Sequence, residues 1–328
     1  MAQHSDPPSP AQAERAAAAV PGGGAASPKD IPKKGWLQIA KRGWGEAKSD
    51  NVPLLAAGVA FYAFLSIFPA IIAALLLYGL VSSPEDVTRQ VDSLGSAIPG
   101  PAAELLTQQG TTLAGQEPSS LGFGLVISVL LALWSASNGT GNLITAVNIA
   151  YDEEETRGFV KRKALALVLT VGAIVFVVIA VALIAVLPPV LDALGLSGIA
   201  WLGVQVARWV ILLGAVTAAL AILYRVAPDR DAPKMKWTSV GAAVATVLWI
   251  VVSIGFSLYT AFGGYGSSYG SLAGVVVLLM WLWLTGYAIL LGAEINAESE
   301  QQTVRDTTKG PEQPIGQRDA VKADSLPA

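Results

Sequence analysis

From residue 237 to residue 293 the chain runs 57 positions without one charged side chain. Residues 51–84 and 118–151 are each charge-free for 34 positions, and residues 164–191 for 28. Residues 193–224 are interrupted only by Arg208. A membrane-spanning helix needs roughly 20 apolar residues. The 57-residue block therefore holds two spans, divided by the glycine-rich run 263–270. Six helices are expected, at 54–81, 121–149, 164–187, 201–224, 237–261 and 271–296. A large soluble core made of such helices would need polar outer faces, and these segments have none. The expected fold class is all-α: a polytopic membrane helical bundle with six transmembrane helices.

Lysine and arginine set the orientation. Nineteen of the 21 lie in the N-terminal segment, the second and fourth connections, and the C-terminal tail. Arg89 is on the opposite side and Arg208 is inside a span. Both termini are thus expected on the cytoplasmic side of the membrane, in agreement with the even helix count. Residues 1–30 and 299–328, poor in large apolar side chains, read as disordered tails. Residues 31–50 read as an interfacial amphipathic helix, with Trp36, Ala40, Trp44 and Ala47 on one face, and Asp50 as the cap of the first span. The membrane domain covers 51–298, with an external helical hairpin at 82–120.

Composition excludes most site chemistry. The chain has no cysteine and one histidine, His4, in the N-terminal tail. Thiolate zinc sites, iron–sulfur clusters, cysteine nucleophiles, histidine metal sites and a Ser-His-Asp triad cannot be assembled. No catalytic residue, metal or cofactor is expected. The net charge of −3 offers no basic field for nucleic acid. The acidic run 152–155 beside Arg157, Lys161, Arg162 and Lys163 reads as a solvated, salt-bridged loop.

The polar residues inside the spans remain. In the second span Asn138 and Asn142 share a face, near Ser135 and Thr140. Gly124, Ser128, Ala132, Ala136 and Thr140 form a small-residue stripe that admits a neighbouring helix. Two readings stand: interhelical hydrogen bonding, or a substrate cavity with the helix unwound near 139–141. Ser66 and Pro69 mark a kink in the first span. Arg208, about 10 Å deep at 1.5 Å per residue, either snorkels outward or meets an anion or lipid headgroup beside Gln205. Glu294, at the inner end of the last span, is expected to pair with Arg225 or Arg157. Gly266, Gly270 and Gly274 are expected to form a second close-packing face.

Several segments resemble one family. Residues 56–69 (AAGVAFYAFLSIFP), Trp134-Ser135-Ala136, Asn148-Ile149-Ala150-Tyr151 with Arg157, Tyr224-Arg225 with Pro228, Tyr269-Gly270-Ser271 and residues 292–297 (GAEINA) are similar in order and spacing to YihY/BrkB membrane proteins. The resemblance covers about residues 35–298. It implies a bacterial inner-membrane protein of unassigned molecular activity. Some members carry the label ribonuclease BN, and others are linked to virulence or serum resistance. The residues here argue against a nuclease. The expected function is a permease or a transporter of a lipid or envelope component; the alternative is a non-transporting scaffold for envelope or virulence-related proteins. The expected partners are the lipid bilayer and a small-molecule or lipid substrate, with homo-oligomerisation left open.

Overall fold

The computed structural model describes residues 9–79, 121–193, 195, 198–262 and 273–327. The outer hairpin expected at 82–120, and Gly266 and Gly270 in the glycine-rich turn, lie outside the described residues. Among the described residues the secondary structure is helical, apart from one isolated antiparallel bridge, Pro233 to Thr308. The helices are α1 (Pro10–Ala19), α2 (Lys33–Ser49), α3 (Val52–Gly79), α4 (Leu121–Ala150), α5 (Phe159–Ala193), α6 (Gly198–Val226), α7 (Met235–Phe262) and α8 (Ala273–Gln301).

Among the described residues, α5, α6, α7 and α8 are each long and apolar enough to cross a membrane. The pair α2 and α3 adds a fifth candidate, bent by 66°. The apolar side chains of these helices face outward: Val168 is 69% exposed and Val210 is 64% exposed. A soluble protein of this size would cover such surface, whereas hydrocarbon solvates it. This is the structural mark of a membrane protein.

The chain divides into two compact units. One comprises residues 1–60, 142–158 and 183–328, and the other residues 61–141 and 159–182. In the first, α7 packs against α6 and α8, and α8 against α2. α2 buries Gly35, Ile39, Gly43 and Ala47. Ile39 joins Ala25, Ile31 and Trp237 in a cluster flanked by Trp36 and Ile295. Leu37, Ala40 and Trp44 face outward instead. The expected single face thus splits: Ala47 packs inward, while Ala40 and Trp44 belong to the exposed stripe. The junction to α3 also differs from expectation. Asp50 ends α2, and Asn51, at φ +54°, makes the corner and accepts the amides of Leu54 and Leu55. Asparagine tolerates this left-handed backbone better than most residues.

Residues 9–30 and 302–327 have defined local structure, where disordered tails were expected at 1–30 and 299–328. Ser9 and Gln12 form a capping box at the start of α1, with the Ser9 amide on Gln12 Oε1 at 2.7 Å. Ser27 and Asp30 repeat it at a short turn, at 2.8 Å. The C-terminal segment is organised by Arg318, whose side chain is 3% exposed. Its guanidinium donates to the carbonyls of Val304 and Ala323, both at 2.7 Å, and of Gln313 at 3.1 Å. Asp306 caps the preceding turn, accepting the Thr308 amide and hydroxyl and the Gln313 amide. Burial alone would raise the Asp306 pKa, but these donors and Arg318 hold it below the ordinary carboxylate value. The segment closes on itself through backbone groups, so it needs few large apolar residues, and composition misses it.

Candidate functional site

Three of the segments that carry the family resemblance, residues 148–151 with Arg157, Tyr224-Arg225 with Pro228, and residues 292–297, lie in the first unit, where the ends of α4, α6, α7 and α8 converge. Gly241 and Gly292 allow α7 and α8 to touch through their backbones. A methyl on either would run into the other's carbonyl oxygen. Asn296 fastens the contact by accepting the Gly241 amide at 2.6 Å and donating to Thr238 O at 3.1 Å. The Tyr224 hydroxyl donates to Ile289 O at 2.6 Å. By contrast, a methyl on Gly274 would meet nothing within 4 Å. Gly274 instead lines a groove of about 370 Å³ with Ser253 and Trp281.

Below this contact lies a charged layer. Arg157 reaches both oxygens of Glu155, at 2.6 and 2.7 Å, and the carbonyl of Ala227 at 2.8 Å. Asp229 Oδ2 accepts the amides of Thr156 and Arg157 and the Thr156 hydroxyl. Asn148 ties the two halves together, donating to Glu155 and accepting the Asp229 amide. Arg157 is the first cause of a lowered Glu155 pKa. Asp229, which burial would raise, is also held below the ordinary value by its donors. A second pair, Arg230 to Glu300 at 2.6 Å, is fully buried, with the guanidinium over the Tyr151 ring. The acidic run 152–155 is therefore a structural element with defined partners, more than a solvated loop.

Glu294 lies beside this layer and is 1% exposed. No nitrogen donor reaches either of its oxygens, and the Asp50 carboxyl is its hydrogen-bonding neighbour. Its charged neighbours are Asp50, Glu298, Glu46 and Lys322. Of its expected partners, Arg157 is held by Glu155 and Asp229 instead. The cation facing Glu294 comes from the C-terminal segment. Lys322 Nζ lies 2.8 Å from Glu298, 3.0 Å from Asp152 and 3.7 Å from Glu46. Burial opposes its charge, but the Glu298 and Asp152 carboxylates prevail and raise its pKa.

In the second unit, the expected cavity residues are engaged between helices. Ser66 Oγ donates to Tyr62 O and accepts the Gly139 amide at 3.0 Å. A methyl on Gly139 would strike Ser66. Asn138 accepts from Lys163 at 2.9 Å, and the same ammonium stands over the Trp134 ring at 4.3 Å. Thr140 and Thr170 meet at 2.7 Å. Along the small-residue stripe Ala136 is buried, Ala132 is half-buried and Ser128 is exposed. Ser135 is exposed as well. Gly124 lies in the first turn of α4, which remains helical from Leu121 to Ala150. The unwinding expected near 139–141 is absent. Asn142, half-buried, belongs to the first unit.

Arg208, also in the first unit, shows a device that sequence reasoning missed. α5 contains a π-helical turn at Ala182–Val186. Such a turn disturbs the regular pairing of backbone carbonyls. Arg208 Nη1 donates to two of them, Leu183 O at 3.3 Å and Ile184 O at 3.4 Å. Its Nε and Gln205 Oε1, one helical turn apart, are buried without a partner. The sequence signal that could have found it is Pro188-Pro189, which follows the π turn and lacks the N–H groups that the Leu183 and Ile184 carbonyls would otherwise accept.

The profile of the family described as Virulence factor BrkB matches residues 44–316. A Bacillus subtilis (strain 168) protein named YfkH and described as ribonuclease-like is 35% identical over 254 residues, covering 74% of this chain and 88% of that protein. A UPF0761 membrane protein of Stenotrophomonas maltophilia (strain K279a) is 28% identical over 271 residues, 77% of this chain and 59% of the relative. A UPF0761 membrane protein of Tolumonas auensis is 36% identical over 94 residues, and only 30% of its length is matched. No solved structure matches the chain. On the strength of the family match and the Bacillus relative, this chain belongs to the BrkB family of membrane proteins.

Proposed function

We propose that the chain is a six-span inner-membrane protein with both termini in the cytoplasm, and that it moves an anionic small molecule or an anionic lipid of the envelope. Arg208 carries this reading. An ionisable side chain within a span is costly and points to a function. Here it leaves one donor buried and unpartnered beside an equally unpartnered Gln205 acceptor. A phosphate or carboxylate passing the π turn would satisfy the free Arg208 donor. Asn142 is assigned to the same path. Ser66, Asn138 and Thr140 are assigned to helix packing, because neighbouring helices engage them. The ribonuclease-like description stays with the Bacillus relative. Among the described residues no three histidine, cysteine or acidic side chains are placed to hold a metal ion.

The test is reconstitution in proteoliposomes with a fluorescent phosphatidylglycerol. Transbilayer movement of the probe supports the reading. It is expected to be lost in Arg208→Leu and Asn142→Leu while both remain folded. A folded wild type that moves neither this probe nor a small organic anion, but retains a stoichiometric envelope protein, favours the scaffold. Topology is tested separately in this cysteine-free chain. Cysteines at positions 93 and 325 are expected to react with an impermeant reagent only from outside and only from inside, respectively.

A further inference from the structure

We propose that Glu46, Asp50, Asp152, Glu294 and Glu298 form a binding site for a primary ammonium group, which Lys322 occupies in cis as a tethered plug. The inference is independent of whether the chain transports anything. Three observations carry it. First, five carboxylates share two cations. Arg42 is held by Glu298 and Gln302, which leaves Lys322 as the ammonium of the site. Second, Glu294 is 1% exposed and no nitrogen donor reaches either oxygen, its hydrogen-bonding neighbour being the Asp50 carboxyl. A site built only to dock the tail would have no use for such a buried acceptor. Third, the geometry suits an N–H donor. Lys322 Nζ meets Glu298 at 2.8 Å and Asp152 at 3.0 Å, which are hydrogen-bond lengths. Among the described residues no acidic cluster converges tightly enough for a metal ion.

The plug belongs to a segment with its own folding logic. Arg318 and Asp306 organise it through its backbone. Lys322 is thus delivered as one side chain of a preformed unit. Withdrawal of the segment exposes the carboxylates together, and an incoming ammonium, free or carried on a lipid headgroup, takes the place of Lys322 Nζ. Glu294 supplies the acceptor that Lys322 leaves unused.

The test uses the purified full-length protein in detergent. 1,4-Diaminobutane is the probe, with tetramethylammonium, which has no N–H, and magnesium as controls at matched ionic strength. Diaminobutane is expected to raise the unfolding temperature of Lys322→Ala and to leave the wild type nearly unshifted. Adding Glu294→Gln to Lys322→Ala should abolish the rise. No rise in Lys322→Ala, an equal rise with tetramethylammonium, or a rise with magnesium alone would overturn the proposal. A second measurement does not depend on that variant. Spin labels on Ser49→Cys and Ser325→Cys report docking of the segment in an otherwise native chain. Diaminobutane is expected to broaden their distance distribution, and an unchanged distribution at saturating diamine also overturns the proposal. In nanodiscs, broadening by phosphatidylethanolamine but not phosphatidylcholine assigns the ammonium to a lipid. Broadening only by the soluble diamine assigns it to a free amine.

Discussion

Thr170 and Arg157 are both polar side chains withdrawn from water, in different units and by different means. Thr170, on the shaft of α5, donates to Ala166 O four residues back in its own helix and meets Thr140 across the helix interface. Arg157, beyond the end of α4, draws its acceptors from Glu155, Ala227 and Asp229. The shaft hydroxyl is satisfied locally, so its neighbour gains little from it. The helix-end guanidinium joins two stretches about 70 positions apart, and each depends on it. Polar groups on the shafts adjust packing between helices, whereas those at the helix ends hold separate parts of the chain in one arrangement.

Removing Arg157 is the strongest way to break that contrast. Arg157→Ala leaves Glu155 and Asp229 side by side, each only 17% exposed. Stranding one side of a largely buried ion pair costs about 3 kcal/mol. The expected result is a large fall in unfolding temperature in detergent, with loss of order around 148–157 and 226–231 by hydrogen exchange. A near-neutral Arg157→Ala would mean that the charged layer is decoration on a structure held by its apolar contacts.

Thr170→Val sharpens the comparison from the other side. Valine keeps the shape and removes the donor to Ala166 O, whose regular helical partner remains. An interhelical hydrogen bond in a membrane is worth about 0.6 kcal/mol on average. The expected change in unfolding temperature is therefore small, and the Thr140→Val, Thr170→Val double variant should fall little further. A penalty comparable to that of Arg157→Ala would show that the α4–α5 contact is as critical as the helix ends.

The sequence discloses these two regions unequally, for a physical reason. Apolar blocks announce the shafts because the bilayer demands some 20 residues without charge wherever a helix crosses. The small-residue logic of α4 is likewise local: Ala136, Gly139 and Thr140 sit within one turn of one another. The helix-end layer depends on pairing between distant residues, such as Asn148 with Asp229 or Lys322 with Glu298. No spacing rule connects those positions. Glu294 could be singled out as unusual, but its neighbours could not, and Arg157, one of its two expected partners, is engaged by Glu155 and Asp229. Low apolar content suggests disorder in the tails, whereas residues 9–30 and 302–327 have defined local structure. Yet the Ser9-to-Gln12 and Ser27-to-Asp30 spacings, each with proline after the serine, are local capping signals that were available.

The smallest expected effect concerns pH at the seam between the acidic run and the C-terminal segment. Glu153 accepts the Val321 amide at 2.9 Å. Burial, the largest influence, raises its pKa from 4.5 to about 7, against the Val321 amide and Arg230, which favour the charged form. A carboxyl whose pKa is raised in the docked state binds a proton on docking. Its contribution is therefore fully present below the undocked value and is lost as pH rises through about 7. Glu155 and Asp229 behave oppositely: their lowered pKa values make their contribution present at neutral pH and lost only on strong acidification. Across the neutral range Glu153 should dominate. Hydrogen exchange at 318–325 is expected to quicken modestly between about pH 6 and about pH 8, after correction for intrinsic rates, while exchange around 155–157 stays level. Glu153→Gln cannot ionise and keeps an acceptor for Val321, so the slope at 318–325 should flatten. If the slope survives in that variant, the proton is taken up elsewhere in the carboxylate cluster, and the seam at Glu153 is not the pH-sensitive part of the dock.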